Sequence, residues 1–302
     1  MMRLPIAITV AVVVCAVEVA VSGYQNDPKR GQDQLEAKTP EPPMAGIHWA
    51  RGRAPARPRG GSPNLTYHGG PVMTQGAYVE PIYWGARWNN SAFIGDKITG
   101  LQSFYSGFGV SSYDNTNSEY TDSSGAHVGS AVTLAATHVD LSAAPTSGNK
   151  TSPILAEVCS TASNLRADGY YPVYVDTPRG HAGFCAWHSV GTCSNGTTVQ
   201  FAFFFNLDGD AGCDPDDSSG LHSQGLAALA NVSGHELSEA LTDPHLNAWY
   251  DANGQENSDK CAWTFGGNVS IGGQNWKIQG NFSNNAYNAR SGYDHAGCIQ
   301  TG

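Results

Sequence analysis

The sequence predicts an α+β fold with a mixed sheet, a long metal-binding helix and a C-terminal tail held by disulfides. Segments of strand-like composition alternate with segments of helix-like apolar spacing before residue 210. Residues 221–241 show the clearest helical spacing, and Asp243-Pro244 ends it because proline cannot continue the hydrogen-bond ladder. The Gly- and Asn-rich tail beyond contains Cys261 and Cys298, which we expect to fix its path.

The individual elements follow from local composition. Runs rich in β-branched and aromatic residues predict strands at 77–85, 131–140, 170–178 and 199–207. Apolar residues three and four apart predict helices at 92–108, 152–169 and 221–241.

Three regions differ in character along the chain. Residues 1–22 have a charged start, a short apolar run and small residues at its end, which predicts a signal peptide and hence a secreted protein. Residues 23–60 are rich in Pro, Gly and charge and predict a disordered linker or a removable pro-segment. Residues 61–302 are expected to form one domain. No later segment resembles a membrane helix, so no membrane association is expected after signal cleavage.

Charge and cysteine content narrow the class of protein. Residues 61–302 carry 8 basic and 21 acidic side chains, which argues against nucleic acid as a partner. The excess of acidic side chains favours binding of cations, or an acidic or salty environment. A role in solubility alone explains this excess equally well. The six cysteines that follow the predicted signal peptide suggest up to three disulfides: Cys159, Cys185, Cys193, Cys213, Cys261 and Cys298.

The string His-Glu-x-x-Glu at residues 235–239 predicts a metal site. On a helix, His235 and Glu239 lie on one face, and both can bind one cation. Glu236 lies about 100° around the helix, where it can act on a metal-bound water as general base. Zinc hydrolases with His-Glu-x-x-His divide these roles in the same way. Zinc is therefore the expected ion, with Glu239 in place of the second histidine.

A third ligand is expected in the segment 249–261. Glu256 is preferred because its side chain is longer, and Asp259 is the alternative because a disulfide at the neighbouring Cys261 would constrain it. An alternative without a metal remains open, in which this helix face is exposed to solvent or Glu239 forms an ion pair with a cation such as Lys260. Asp243 and Asp251 are candidates for orienting His235.

Two further clusters admit a functional interpretation. Cys185 and His188 could form a nucleophile and base, but a disulfide cysteine beside a core or cleft histidine is the favoured interpretation, and His188 could also stabilise an oxyanion near the metal. The acidic loop 206–220 could bind calcium, although it lacks the regular EF-hand pattern.

Three blocks of sequence together resemble the secreted EXORDIUM-like, phosphate-induced protein family, particularly its microbial branch. They are "LTYHGGPVMTQGAYVEPIYWG" (65–85), "GFCAWHS" (183–189) and the segment 235–261, which begins "HELSEALTDP" and ends "SDKC". The resemblance implies an extracellular or cell-wall location and supplies no reaction. The His-Glu helix beside a sheet also looks like the zincin peptidase arrangement, which implies a single zincin-like domain with 199–207 as the edge strand that holds a peptide.

The sequence thus predicts a secreted protein with a mononuclear zinc site. Its expected reaction is hydrolysis of a peptide, or of a cell-wall-associated substrate, by metal-activated water with Glu236 as base. The alternative is a non-catalytic extracellular or cell-wall binding protein, in which the same residues hold a structural ion.

Overall fold

The computed structural model describes residues 41–56 and 62–302, and the chain from Glu41 to Gly302 forms one compact unit. The predicted signal peptide and residues 23–40 lie outside the described residues. The predicted α+β class with a mixed sheet is confirmed.

Strands and helices alternate in the first half, and short strands dominate the tail. The described strands are β1 Ala45–Trp49, β2 Thr66–Tyr67, β3 Ala77–Val79, β4 Ile82–Trp84, β5 Val132–Leu134, β6 His138–Asp140, β7 Gly169–Pro178, β8 Phe184–Thr192, β9 Thr198–Asn206, β10 Trp249–Tyr250, β11 Val269–Ile271, β12 Gln274–Trp276, β13 Asn281–Phe282 and β14 Cys298–Ile299. The described α-helices are α1 Ser91–Ile94, α2 Lys97–Phe108, α3 Ser152–Thr161, α4 Gln224–Thr242 and α5 Asn284–Asn288. Short 3-10 helices lie at Ala86–Asn89, Asp114–Glu119 and Asp259–Cys261.

The main sheet has the strand order β1-β8-β9-β7-β3-β5, with β4 and β6 continuing the lines of β3 and β5. Strands β3 to β7 and β9 pair in parallel, whereas β8 is antiparallel to both β9 and β1. The prediction that 199–207 forms an edge strand is wrong, because β8 and β1 pair beyond β9.

The boundary predicted at residue 61 also differs from the structure. Residues 41–56 belong to the compact unit, and β1 pairs with β8 at the edge of the sheet. Proline, glycine and charge made this segment look disordered, but His48 and Ala50 are buried against the domain. Its order comes from pairing with residues more than 130 positions later, a contact that local composition does not encode.

Helix α4 is the central helix of the domain. Ser223 caps its N-terminus by accepting a hydrogen bond from the Leu226 backbone N–H at 3.1 Å. Asp243 and Pro244 follow its last turn, as predicted. The helical spacing predicts one buried apolar stripe, but in the structure every residue from Gly225 to Thr242 is buried, on all sides of the helix. The sheet covers one side, and α2 with the 3-10 helix 114–119 and β12 covers the other.

Close packing ties α4 to its neighbours. The hydroxyl of Tyr174 on β7 lies 2.6 Å from the Tyr105 hydroxyl of α2 and 2.7 Å from Ser233 Oγ of α4. A Cβ at Gly100 would lie 2.3 Å from Leu226 Cδ2, so only glycine lets α2 approach α4 this closely. These contacts fix the helix that carries the predicted metal ligands.

Three disulfides join the six cysteines named above: Cys159–Cys193, Cys185–Cys213 and Cys261–Cys298. The third one holds the C-terminal tail, as expected. Such bonds persist in oxidising compartments and are consistent with an extracellular protein. Within residues 41–56 and 62–302, no helix has the length and apolarity needed to cross a membrane.

Candidate metal centre

One turn of α4 presents the His-Glu-x-x-Glu side chains to the interior. His235 Nε2 lies 3.1 Å from Glu239 Oε1, and both side chains are fully buried. The distance is one that two ligands of a single ion can have. The helix therefore brings the two predicted ligands together on one face.

Asp259 completes a group of three possible ligands around His235. Its Oδ1 lies 3.8 Å from His235 Nε2, and its backbone N–H donates to Glu239 Oε1 at 2.9 Å. One ligand atom from each of His235, Glu239 and Asp259 lies within 4.8 Å of the others. This buried His/Glu/Asp group could hold a metal ion.

Glu239 also faces a second histidine, which comes from β8. His188 Nε2 lies 3.5 Å from Glu239 Oε2 and 2.8 Å from Glu256 Oε2. His188, Glu236 and Glu239 form a second group that could hold an ion. Glu239 thus directs one oxygen at each histidine. Glu256, the preferred third ligand, lies beside His188, while the alternative Asp259 lies beside His235.

Glu236 is buried without an adequate partner. It is 0% exposed, and neither of its oxygens has a hydrogen bond of good geometry from the described residues. The backbone N–H of His48 is close enough to lower the pKa of this carboxyl slightly, against the larger effect of burial. Burial, with the nearby Glu239 and Asp259, raises the pKa of Glu236 well above its usual range, because a charged carboxylate buried without partners costs on the order of several kcal/mol. A cation or a bound water beside it would remove that cost.

Gln279 links two histidines behind the site. Its Oε1 accepts from His48 Nε2 at 2.9 Å, while its Nε2 donates to the Ser258 carbonyl at 2.8 Å and lies 2.9 Å from His235 Nδ1. In this orientation the neutral His235 imidazole carries its proton on Nε2. Coordination through Nε2 needs the proton on Nδ1 instead, and a half-turn of the amide would place its oxygen there. Binding of an ion at His235 Nε2 would therefore be coupled to the orientation of Gln279.

The charges of the site follow from burial and from the facing groups. Burial alone would lower the pKa of His235, but Glu239, Asp259 and Gln279 together raise it above its usual range. The same His235, with His188, outweighs the effect of burial on Glu239 and lowers its pKa.

The second histidine behaves in the opposite way. Burial lowers the pKa of His188 to about 4, and burial with the nearby Glu239 and Asp243 raises the pKa of Glu256 well above its usual range. Burial thus disfavours the charged form of both partners in the 2.8 Å contact between His188 and Glu256. A divalent cation would lower the pKa of Glu256 and would keep the His188 imidazole neutral, since its charge favours the carboxylate and the neutral imidazole.

Several alternatives from the sequence lose support. Lys260 pairs with Asp251 at 2.9 Å and not with Glu239. Asp243 accepts from the backbone N–H groups of residues 247 and 248, so neither Asp243 nor Asp251 contacts the His235 ring through these bonds. Gln279 takes the orienting role.

The other two clusters are explained by their partners. Cys185 is in a disulfide, so it is no thiolate nucleophile for His188. In the acidic loop, Asp208 pairs with Lys97, Asp210 with Arg179 and Asp216 with Arg51. Cation pairing accounts for these carboxylates, and neither possible metal-binding group of the described residues includes them.

Three residues from outside the motif complete the site. The sequence predicts no role for His48 or Gln279, and for His188 it suggests a base or an oxyanion stabiliser and not a ligand. The block "GFCAWHS" carried a signal for His188, because a histidine among buried strand residues needs a polar partner. His48 and Gln279 stand in segments without any motif.

Comparisons with protein-family models, with curated proteins and with solved structures found no match. The resemblance to the EXORDIUM-like family therefore stays a prediction.

Proposed function

We propose that this chain is an exported, metal-dependent hydrolase of peptide bonds, with Glu236 as its general base. The observation that carries the proposal is the buried Glu236 carboxyl group, which has no hydrogen bond of good geometry from the described residues and lies within 4.8 Å of ligand atoms of His188 and Glu239. This carboxyl group is not one of the three proposed ligands, which are His235, Glu239 and Asp259, so it remains available to act on water or substrate. A hydrolase needs a base next to the ion.

The donor set suits zinc. One imidazole with carboxylate oxygens is an accepted zinc environment, and three protein ligands leave a fourth position for water or substrate. More carboxylate ligands would shift the preference to a harder ion such as manganese. Zinc in this position would polarise a substrate carbonyl and lower the pKa of water towards neutrality.

The protein's own residues then have separate roles. His235 and Glu239 hold the ion from consecutive turns of α4, with Asp259 as third ligand and Glu256 as the alternative. Glu236 takes the proton of the attacking water and delivers it to the leaving amine. His188 lies close to Glu239 and could donate to the oxyanion that develops on the carbonyl.

The export part of the proposal rests on separate features. The predicted signal peptide, the three disulfides and the resemblance to the EXORDIUM-like family all support an extracellular or cell-wall location.

A structural ion is the second candidate function, and one observation favours it. His188, His235, Glu236 and Glu239 are each 0 to 1% exposed, so a substrate has no direct access to them. On this alternative the ion neutralises buried carboxylates and locks α4 to the segment 256–259.

Metal analysis with three variants tests both candidates. We expect purified wild-type protein to contain zinc, Glu236→Gln to keep the metal and lose peptide hydrolysis, and His235→Ala to lose the metal. Glu157→Gln is the matched control, because Glu157 is also buried but lies on α3 with Thr161 as partner. It should keep both properties.

Three results would contradict the proposal in different ways. Wild-type protein without bound metal would remove both candidate functions. Retained hydrolysis in Glu236→Gln would remove Glu236 from the mechanism. Bound zinc without cleavage of a broad peptide library, even when the site is opened as described below, would establish the structural role.

A further inference from the structure

Strand β1 lies directly across the candidate metal centre. It pairs antiparallel with β8, with Ala45 opposite His188 and His48 opposite Ala186. His188 is itself one of the two histidines that face Glu239. The first strand of the compact unit therefore runs along the strand that lines the site.

Gly46 makes the closest approach. A Cβ at this position would lie 2.1 Å from both Glu239 Oε2 and His188 Cδ2, far inside van der Waals contact. Its φ of +49° is also one that residues with a side chain rarely adopt. The backbone at Gly46 is thus pressed against the Glu239 carboxylate, where a substrate would have to enter.

His48 closes the site from the other side. It is fully buried, its ring lies 4.6 Å from the His235 ring, and it packs edge-on against Trp263 at 4.7 Å. Gly46 and His48 thus contact Glu239, His188 and His235 from the same strand.

Three features make β1 a weakly held element. It is a five-residue strand at the sheet edge, and its register with β8 is irregular on both sides of His48. Edge strands with broken ladders have fewer hydrogen bonds to lose on leaving. A cavity of about 470 Å³ also lies between β1 and the segment 243–259, lined by Met44, Ile47, Leu246 and Tyr250 among others. One side of the strand is consequently not tightly covered.

We propose that the β8 edge is a binding site for an extended polypeptide, and that β1 occupies this site as an internal mimic of the substrate. The proposal rests on the proposed function, since it names the substrate class of the same centre. A bound segment would run antiparallel to β8 with a glycine over Glu239, as Gly46 does. The exposed backbone of β8 would provide its hydrogen bonds.

The main test compares Gly46→Ala with Gly52→Ala. Both glycines have positive φ, +49° and +68°, but a Cβ at Gly52 has no atom within 4 Å. The two variants share the backbone strain, and their difference isolates the collision with the site. We expect Gly46→Ala to raise hydrogen exchange in residues 45–49 and to speed zinc release to EDTA at least about tenfold, the factor that about 1.4 kcal/mol produces.

A synthetic peptide tests the substrate class directly. The peptide PMAGIHWA, which copies residues 43–50, should bind Gly46→Ala and not the wild type or Gly52→Ala. The same peptide with alanine in place of glycine should fail to bind, because its methyl group meets the same clash.

The outcomes separate this inference from the proposed function. Equal zinc release and no peptide binding in both glycine variants would overturn the inference. Peptide binding by Gly46→Ala without cleavage of this peptide or of any member of a broad peptide library would leave the β8 edge as a binding site and remove the hydrolase.

If Gly46→Ala fails to fold, Ser189→Ala replaces it. The Ser189 hydroxyl donates to the Pro43 carbonyl at 2.6 Å and holds the start of the segment without contacting a ligand through this bond. Zinc release should then rise about fivefold, the effect of losing one buried hydrogen bond of about 1 kcal/mol. An unchanged rate would count against the inference.

Discussion

Replacing Gln279 with leucine should weaken both the fold and the metal site. Gln279 is fully buried, and its amide contacts His48, His235 and the Ser258 carbonyl at 2.8 to 2.9 Å. Leucine fills a similar volume but leaves three buried polar groups without partners. At about 1 to 2 kcal/mol for each group, the free energy of unfolding should fall by about 3 to 6 kcal/mol. Loss of the group that orients His235 should also lower zinc affinity about 10- to 100-fold.

The measurements are urea unfolding of the metal-free protein and zinc titration of the folded variant. Gln279→Glu is the informative comparison, because its carboxylate offers an oxygen to His235 Nδ1–H without a half-turn of the side chain. We expect it to bind zinc more tightly than Gln279→Leu, although it is less stable than wild type because it faces the Ser258 carbonyl. A loss of stability below about 1 kcal/mol in the leucine variant would show that water replaces the amide. Equal zinc affinity in both variants would refute the coupling between Gln279 and the metal.

Three further predictions concern the scaffold. Alanine at both Cys261 and Cys298 should reduce the free energy of unfolding by about 4 kcal/mol, because the bond closes a loop of 37 residues; a change below 1 kcal/mol in urea would contradict this. Burial raises the pKa of Asp114 to about 7. The pKa in the folded state then exceeds the pKa in the unfolded state, so the free energy of unfolding should fall by up to roughly 4 kcal/mol as pH rises from about 4 to about 7. Asp114→Asn should remove this dependence when unfolding is measured across that pH range. Gly100→Ala should reduce the free energy of unfolding by about 1 to 3 kcal/mol through its clash with Leu226, and so lower the melting temperature. An unchanged melting temperature would show that α2 can move.

Local patterns predicted what local geometry determines. The spacing of His235 and Glu239 predicted one helix face, and Asp243-Pro244 predicted where the helix ends. The even number of cysteines suggested up to three disulfides, although their pairing could be read only from the fold.

Long-range partners could not be predicted in this way. His188 comes from β8 and Gln279 from the tail, and nothing in their neighbouring residues specifies that they meet at α4. The composition of residues 23–60 predicted a disordered linker or a removable pro-segment, yet β1 gains order from β8, more than 130 residues later in the chain. The burial of α4 from Gly225 to Thr242 could not be predicted either, because its polar side chains find hydrogen-bond partners in distant segments. Asn231, for example, accepts from the Gln279 backbone N–H at 2.8 Å.

The wide separation of the site residues along the chain makes the centre a late product of folding. The site needs His188 of β8, helix α4 and the Gln279 amide of the tail together. A nascent chain that still lacks residue 279 therefore has no complete site for an ion. Metal capture should therefore follow synthesis of nearly the whole chain. The ion that is bound would then be selected by the compartment in which the finished chain folds, and metal content would report on the fraction of molecules that have matured.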